Sequence, residues 1–124
     1  MRRILPDEVF RKLPCSVVAV GCALKLTDRE SVNALKSPKL HEDGYLSLND
    51  MNSLVRANLS VVRRVNYRRG ERPILRDFCH GYDGRAIVCL EGHYIYVEGG
   101  DYYSFFLNGD SRIVSVWYLD KAAE

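Results

Sequence analysis

The sequence predicts an α+β fold, with N-terminal helices packed on a C-terminal antiparallel β-sheet, and three observations carry that expectation. Up to Leu59, apolar residues recur mostly at helical spacing behind capping signals. From Arg85 onward they fall into short runs and alternations flanking a Gly99-Gly100 pair, the mark of hairpin-linked strands. The chain has 124 residues and 47% hydrophobic content, enough for one core, so residues 1–124 read as a single domain.

Taken in order, residues 1–14 carry two prolines and many charges and read as a short extended or one-turn lead-in. The run from Ser16 to Leu26 is apolar nearly all round, which suits a helix buried on every side. Its β-branched residues also allow a strand. Pro14 at its start and Ala23-Leu24-Lys25-Leu26 at its end favour the helix. Thr27-Asp28-Arg29-Glu30 is an N-cap signal for a short helix through Leu35, stopped before Pro38, with a loop from Lys36 to Tyr45. Ser47-Leu48-Asn49-Asp50 resembles a capping box, and Leu48, Met51, Leu54, Val55 and Leu59 give the helix behind it one apolar stripe for the sheet. Ser60 to Tyr67 is strand-like, Arg68 to Pro73 a charged turn, and Ile74 to about Phe78 a short helix before a Gly81-Tyr82-Asp83-Gly84 loop. Four strands close the chain, over Ala86–Leu90, His93–Val97, Tyr102–Phe106 and Arg112–Leu119.

Charge and composition narrow the function. A formal net charge of +2 and a pI near 8.4 argue against a dedicated nucleic-acid binder. Arg63, Arg64, Arg68, Arg69 and Arg72 form the one basic cluster; they suit a solvated sheet edge that discourages strand pairing, or a contact to an acidic partner. No apolar stretch is long enough to span a bilayer, and residues 1–8 lack the apolar core of a signal peptide. Cys15, Cys22, Cys79 and Cys89 form no C-x-x-C pair, and free thiols fit a reducing, cytoplasmic setting. A metal site built on Cys79 and His80 lacks a second ligand pair at suitable spacing, so no metal or cofactor is expected.

One cysteine stands in a chemically special place. Cys15 falls in the first turn of the apolar helix, where free backbone N–H groups and the helix dipole favour a thiolate. A histidine at the start of a stiff strand, His93, can act as its base, and Asp110 can hold the imidazole from the start of the next strand. Asn108 competes with Asp110 for that role. Asp101, in the hairpin turn, is expected to point away.

The order Cys15…His93…Asp110, with the cysteine on the first helix, the histidine ahead of an apolar strand and the acid after the next, resembles the papain-like cysteine peptidases. Among these, the compact bacterial double-glycine leader peptidases are the most similar in size and spacing. The chain departs from their pattern in two places: no glutamine precedes Cys15, and Ser16 rather than glycine follows it. The resemblance implies a papain-like fold and a peptidase acting on a peptide or isopeptide bond of a peptide or protein partner. Cys15, His93 and Asp110 would form its triad. Ser16, Tyr94 and His80 are the expected substrate contacts: Ser16 through a backbone N–H, Tyr94 on an aromatic face shared with Tyr96, Tyr102, Tyr103 and Trp117, and His80 at the rim. Two other functions fit the same residues. One is a catalytically inactive papain-like module that holds a peptide, and the other is a small α+β interaction protein in which the three residues never meet.

Overall fold

The computed structural model describes residues 1–35 and 46–121; the loop expected over 36–45, with His41, lies outside them. Six strands make one sheet in the order β1-β5-β4-β3-β6-β2. They are β1 (Arg3–Ile4), β2 (Val61–Asn66), β3 (Arg85–Leu90), β4 (His93–Glu98), β5 (Asp101–Tyr103) and β6 (Ile113–Leu119). Four α-helices accompany them among the described residues: α1 (Cys15–Ala23), α2 (Arg29–Asn33), α3 (Leu48–Asn58) and α4 (Leu75–Gly81). The protein is therefore mixed α+β, as the sequence predicts.

Two features differ from the expectation. The sheet is not wholly antiparallel, because β1 runs parallel to β5. Residues 1–4, read as a lead-in, dock on that edge through Tyr102 N–H to Arg2 C=O and Ser104 N–H to Ile4 C=O, at 3.0 and 3.2 Å. The helices also lie on both faces. α1 and α3 pack with Ile87, Cys89, Tyr94, Tyr96 and Trp117, whereas Leu75 and Cys79 of α4 pack with Val88, Leu90, Ile95, Val97 and Val116 on the other side. Period-two alternation along β3 and β4 produces this division, since every residue from Ala86 to Leu90 and from Tyr94 to Val97 is buried.

α1 is apolar all round because it is covered all round: from Ser16 to Ala23 only Val17 is not fully buried. Gly21 is required where it stands, since a methyl group there would overlap the Phe10 ring that pins the preceding segment to the helix. The helix closes with Lys25 at φ 58°, whose N–H bonds Cys22 C=O while Leu26 N–H reaches back to Gly21 C=O, both at 3.0 Å. This is a Schellman motif with lysine in the usual glycine place. Arg85 completes the end by donating to Ala23 C=O at 2.8 Å, to the Tyr96 hydroxyl at 2.9 Å and to Asp120 C=O at 2.8 Å. One guanidinium thus ties α1 to β4 and to the chain beyond β6.

α3 has the expected cap, with Ser47 Oγ accepting Asp50 N–H at 3.2 Å, and buries Met51, Leu54 and Val55. α4 starts with no side-chain cap. Its first N–H groups, on Leu75 and Arg76, instead donate to Ser111 and Gly109 C=O at 2.9 and 3.0 Å. The loop carrying Asp110 is thereby held against α4. β2 is an edge strand on which Arg63 covers the Tyr118 ring and Arg64 the Trp117 ring, at 4.6 and 4.8 Å from the centroids.

Candidate thiol–imidazole site

Cys15 is the first residue of α1, placed there by Pro14, whose extended backbone at φ −58° and ψ 144° turns the chain into the helix. Val18 N–H bonds Pro14 C=O at 3.0 Å, so the first turn of amides, on Cys15, Ser16 and Val17, precedes the helical hydrogen bonds. His93 opens β4 directly after a two-residue turn, Glu91-Gly92, whose glycine takes φ 85°. Both side chains line one cavity of about 190 Å³, walled further by Leu13, Val18, Tyr103 and Phe105. Cys15 and His93 are thus brought together, although no hydrogen bond joins them. In an unliganded site such contacts are commonly long and tighten only around substrate.

The ionisation of the pair is set by burial. The helix start was expected to favour a thiolate, but desolvation raises the Cys15 pKa above its ordinary value and outweighs the lowering by the backbone of Tyr94, Ser16 and Cys15 itself. Desolvation likewise lowers the His93 pKa. Each shift favours the uncharged form, so the resting pair is neutral thiol and neutral imidazole.

A polar network stands behind His93. Ser104, one residue past β5, has its Oγ 3.4 Å from His93 Nε2. The same hydroxyl donates to Asn108 Oδ1 at 2.8 Å and accepts Phe106 N–H at 3.0 Å. Asn108 is held in turn by its own N–H, which donates to the Tyr102 hydroxyl at 3.1 Å. Phe106 packs its ring edge-on to His93, centroids 5.8 Å apart, and leaves 65% of its surface exposed. Leu107 beside it is 82% exposed.

Of the other expected site residues, Asp110 and His80 lie away from the cavity, whereas Ser16 and Tyr94 are beside it but buried. Asp110 does not reach the cavity; it pairs with Arg76 at the start of α4 and is exposed. The cause is the docking of residues 109–111 onto the α4 amides, which carries the carboxylate away from His93. His80 lies exposed on α4, on the far side of the sheet from α1, because the helix runs to Gly81 instead of stopping near Phe78. Ser16 is fully buried and its Oγ has no partner. Tyr94 does line the cavity, but it is 1% exposed and donates its hydroxyl to Leu46 C=O at 2.8 Å. Tyr96 and Tyr102 are equally buried, so the expected aromatic face is core, with only Tyr103 partly open.

No protein-family model, curated protein or solved structure matches the chain.

The residue that sequence reasoning passed over is Ser104. The signal was the hairpin itself: Gly99 and Gly100, at φ 62° and 81°, make a two-residue turn, and the antiparallel register Tyr96↔Tyr103 returns the residues that follow β5 toward the start of β4, where His93 stands. Among the described residues no cluster of histidine, cysteine and acid could hold a metal ion, and no helix is long and apolar enough to cross a membrane.

Proposed function

We propose that the protein is a papain-like thiol hydrolase acting on a peptide or isopeptide bond, with Cys15 as nucleophile and His93 as its base and acid. The observation that carries the reading is the shared cavity: a cysteine at a helix start and a histidine at a strand start, far apart in sequence, wall the same small space. In the reaction, His93 takes the thiol proton as Cys15 Sγ attacks the carbonyl carbon. The C–N bond then breaks and His93 returns that proton to the leaving amine. Water adds to the thioester with His93 as base, releasing the acid and restoring the thiol. The negative oxygen of the tetrahedral intermediate falls to backbone N–H groups at the start of α1, on Cys15 and Ser16, in place of the absent glutamine side chain. Neutral resting partners suit this order, because the proton moves only when a substrate carbonyl is present to accept the electrons.

A second reading, a non-catalytic module that holds a peptide, is favoured by the exposed Phe106 that lines the cavity. A peptidyl electrophile separates the two. The hydrolase reading predicts covalent labelling at Cys15, located by mass spectrometry, that falls at least about 100-fold in His93→Ala. Reversible binding of the same peptide with no His93-dependent labelling contradicts it and supports the module.

A further inference from the structure

β2 is the outer strand beyond β6, and its far edge pairs with no strand among the described residues. Tyr67 N–H bonds Val114 C=O at 2.9 Å, and strand alternation then turns the backbone groups of Val65 and Arg63 inward to β6 as well. The N–H and C=O of Arg64 and Asn66 consequently face outward as an unfilled ladder. Side chains alternate across the same strand. Arg63 lies on the α4 face over Tyr118, and Arg64 on the α1 face over Trp117, where its Nε also donates to Ser115 Oγ at 3.4 Å.

Positive charge gathers at this edge without an internal counterpart. Arg72, Arg76 and Arg85 each have a carboxylate within salt-bridge distance, whereas Arg56, Arg63, Arg64, Arg68 and Arg69 have none among the described residues. Arg56, in the last turn of α3, is drawn to the strand because its Nε donates at 3.0 Å to Asn52 Oδ1, the oxygen that also accepts Trp117 Nε1. The residue type carries a further message. An edge guarded only against pairing is well served by lysine, whose strongly hydrated ammonium resists burial. From residue 40 to residue 120 the chain has no lysine, and every one of these cations is arginine. A guanidinium stacked on a ring is held flat, with N–H groups directed outward for the two oxygens of a carboxylate.

We infer that the β2 edge receives an extended acidic segment of a partner protein, which adds a strand beside residues 63–67 and sets its carboxylates against Arg56, Arg63 and Arg64, with Arg68 and Arg69 at the strand's end. The bulge at Val62 ends the free ladder on the other side. A second copy of this chain is a poor occupant, since β2 paired with β2 would bring Arg63 and Arg64 against their own equivalents. Nucleic acid would meet the arginines with phosphates but would leave the alternating N–H and C=O groups unfilled. The surface is independent of the Cys15–His93 cavity and of any reaction there.

The test uses the full chain and a short synthetic peptide of glutamate and valine, with adjacent glutamates so that carboxylates reach both faces of the strand. Binding is read by fluorescence anisotropy and by amide hydrogen exchange. The peptide should bind, more weakly as salt rises, and should slow exchange at the Arg64 and Asn66 amides by about tenfold or more. Arg68→Glu with Arg69→Glu, in the exposed turn after β2, should weaken binding about tenfold. Arg64→Lys keeps the charge but loses the planar fork, and should weaken it about threefold. The same peptide methylated at every amide nitrogen should not bind. No binding at about 1 mM peptide overturns the inference. Equal binding of the methylated peptide overturns it too, since charge alone would then suffice. So does a single-stranded oligothymidylate that binds more tightly than the peptide, or protection of the same two amides by self-association without peptide.

Discussion

The two faces of the sheet are built from different chemistry. The buried centre of the α4 face is aliphatic apart from Cys79 and Tyr102, with Ala86, Val88, Leu90, Ile95, Val97, Ile113 and Val116 closing on Leu75, and its aromatic rings, Tyr67, Phe78, Tyr82 and Tyr118, pack partly buried around that centre. The α1 face carries Tyr94, Tyr96 and Trp117, and each polar tip is satisfied: Tyr94 by Leu46 C=O, Tyr96 by Glu98 at 2.6 Å, and Trp117 Nε1 by Asn52 Oδ1 at 2.9 Å. The candidate site opens at the edge of this second face, where α1 begins. The difference shows how a small domain can divide its labour. One face keeps its aromatic rings at the margin of an aliphatic centre, and the other fixes large, fully buried side chains by hydrogen bonds to backbone, carboxylate and amide groups, which holds the walls of the cavity in place.

The largest expected effect falls on the hydrogen-bonded face. Trp117→Ala removes a fully buried ring, takes away the face that Arg64 covers and leaves Asn52 Oδ1 with Arg56 as its side-chain donor, and should lower unfolding free energy in urea by about 3–5 kcal/mol. A loss below about 1 kcal/mol would mean that this face does not carry the fold.

Alkaline pH probes both faces at once, because each holds one strongly shifted thiol. Burial pushes Cys22 on the α1 side up to about 12 and Cys79 on the α4 side up to about 11, from 9.0. Above pH 9 the unfolded chain releases these protons while the folded chain keeps them, so stability must fall as pH rises. The loss should approach about 1.4 kcal/mol per pH unit for each thiol. Cys22→Ala and Cys79→Ala should each lower the slope, the remainder belonging to Cys15 and, at higher pH, to Tyr96, whose ionisation burial also opposes, and a slope unchanged by both replacements would locate the titrating groups elsewhere.

The smallest effect is the sharpest. Tyr94→Phe keeps the ring and removes the hydroxyl that bonds Leu46 C=O, and should cost about 1–3 kcal/mol by leaving that carbonyl without this donor. No measurable loss would show that hydrogen bonding is incidental to this face.

Much of the fold was legible because it is written in local signals. Pro14 ahead of an apolar run, Ser47 as a cap and Gly99-Gly100 as a turn each act over a few residues, and the elements they bound form close to where they were expected. What local signals do not carry is where distant segments meet. The docking of residues 1–4 on β5 depends on partners about a hundred positions away. The site divided along the same line. Cys15 and His93 could be picked out from their places on a helix and a strand, whereas Asp110 was misplaced because the loop around it serves α4 through backbone bonds that no side chain announces. Burial, which reverses the expected direction of the Cys15 shift, is a property of the packed chain and not of the helix start.

The most direct test of the account is the pH profile of Cys15 alkylation by iodoacetamide, in the parent and in His93→Ala, with the modified residue identified by mass spectrometry. A neutral thiol–imidazole pair predicts rates that diverge between about pH 6 and 8, faster in the parent, and converge above about pH 9 where hydroxide replaces the imidazole as base. Profiles that superimpose over the whole range would show that His93 does not serve Cys15, and would contradict the account.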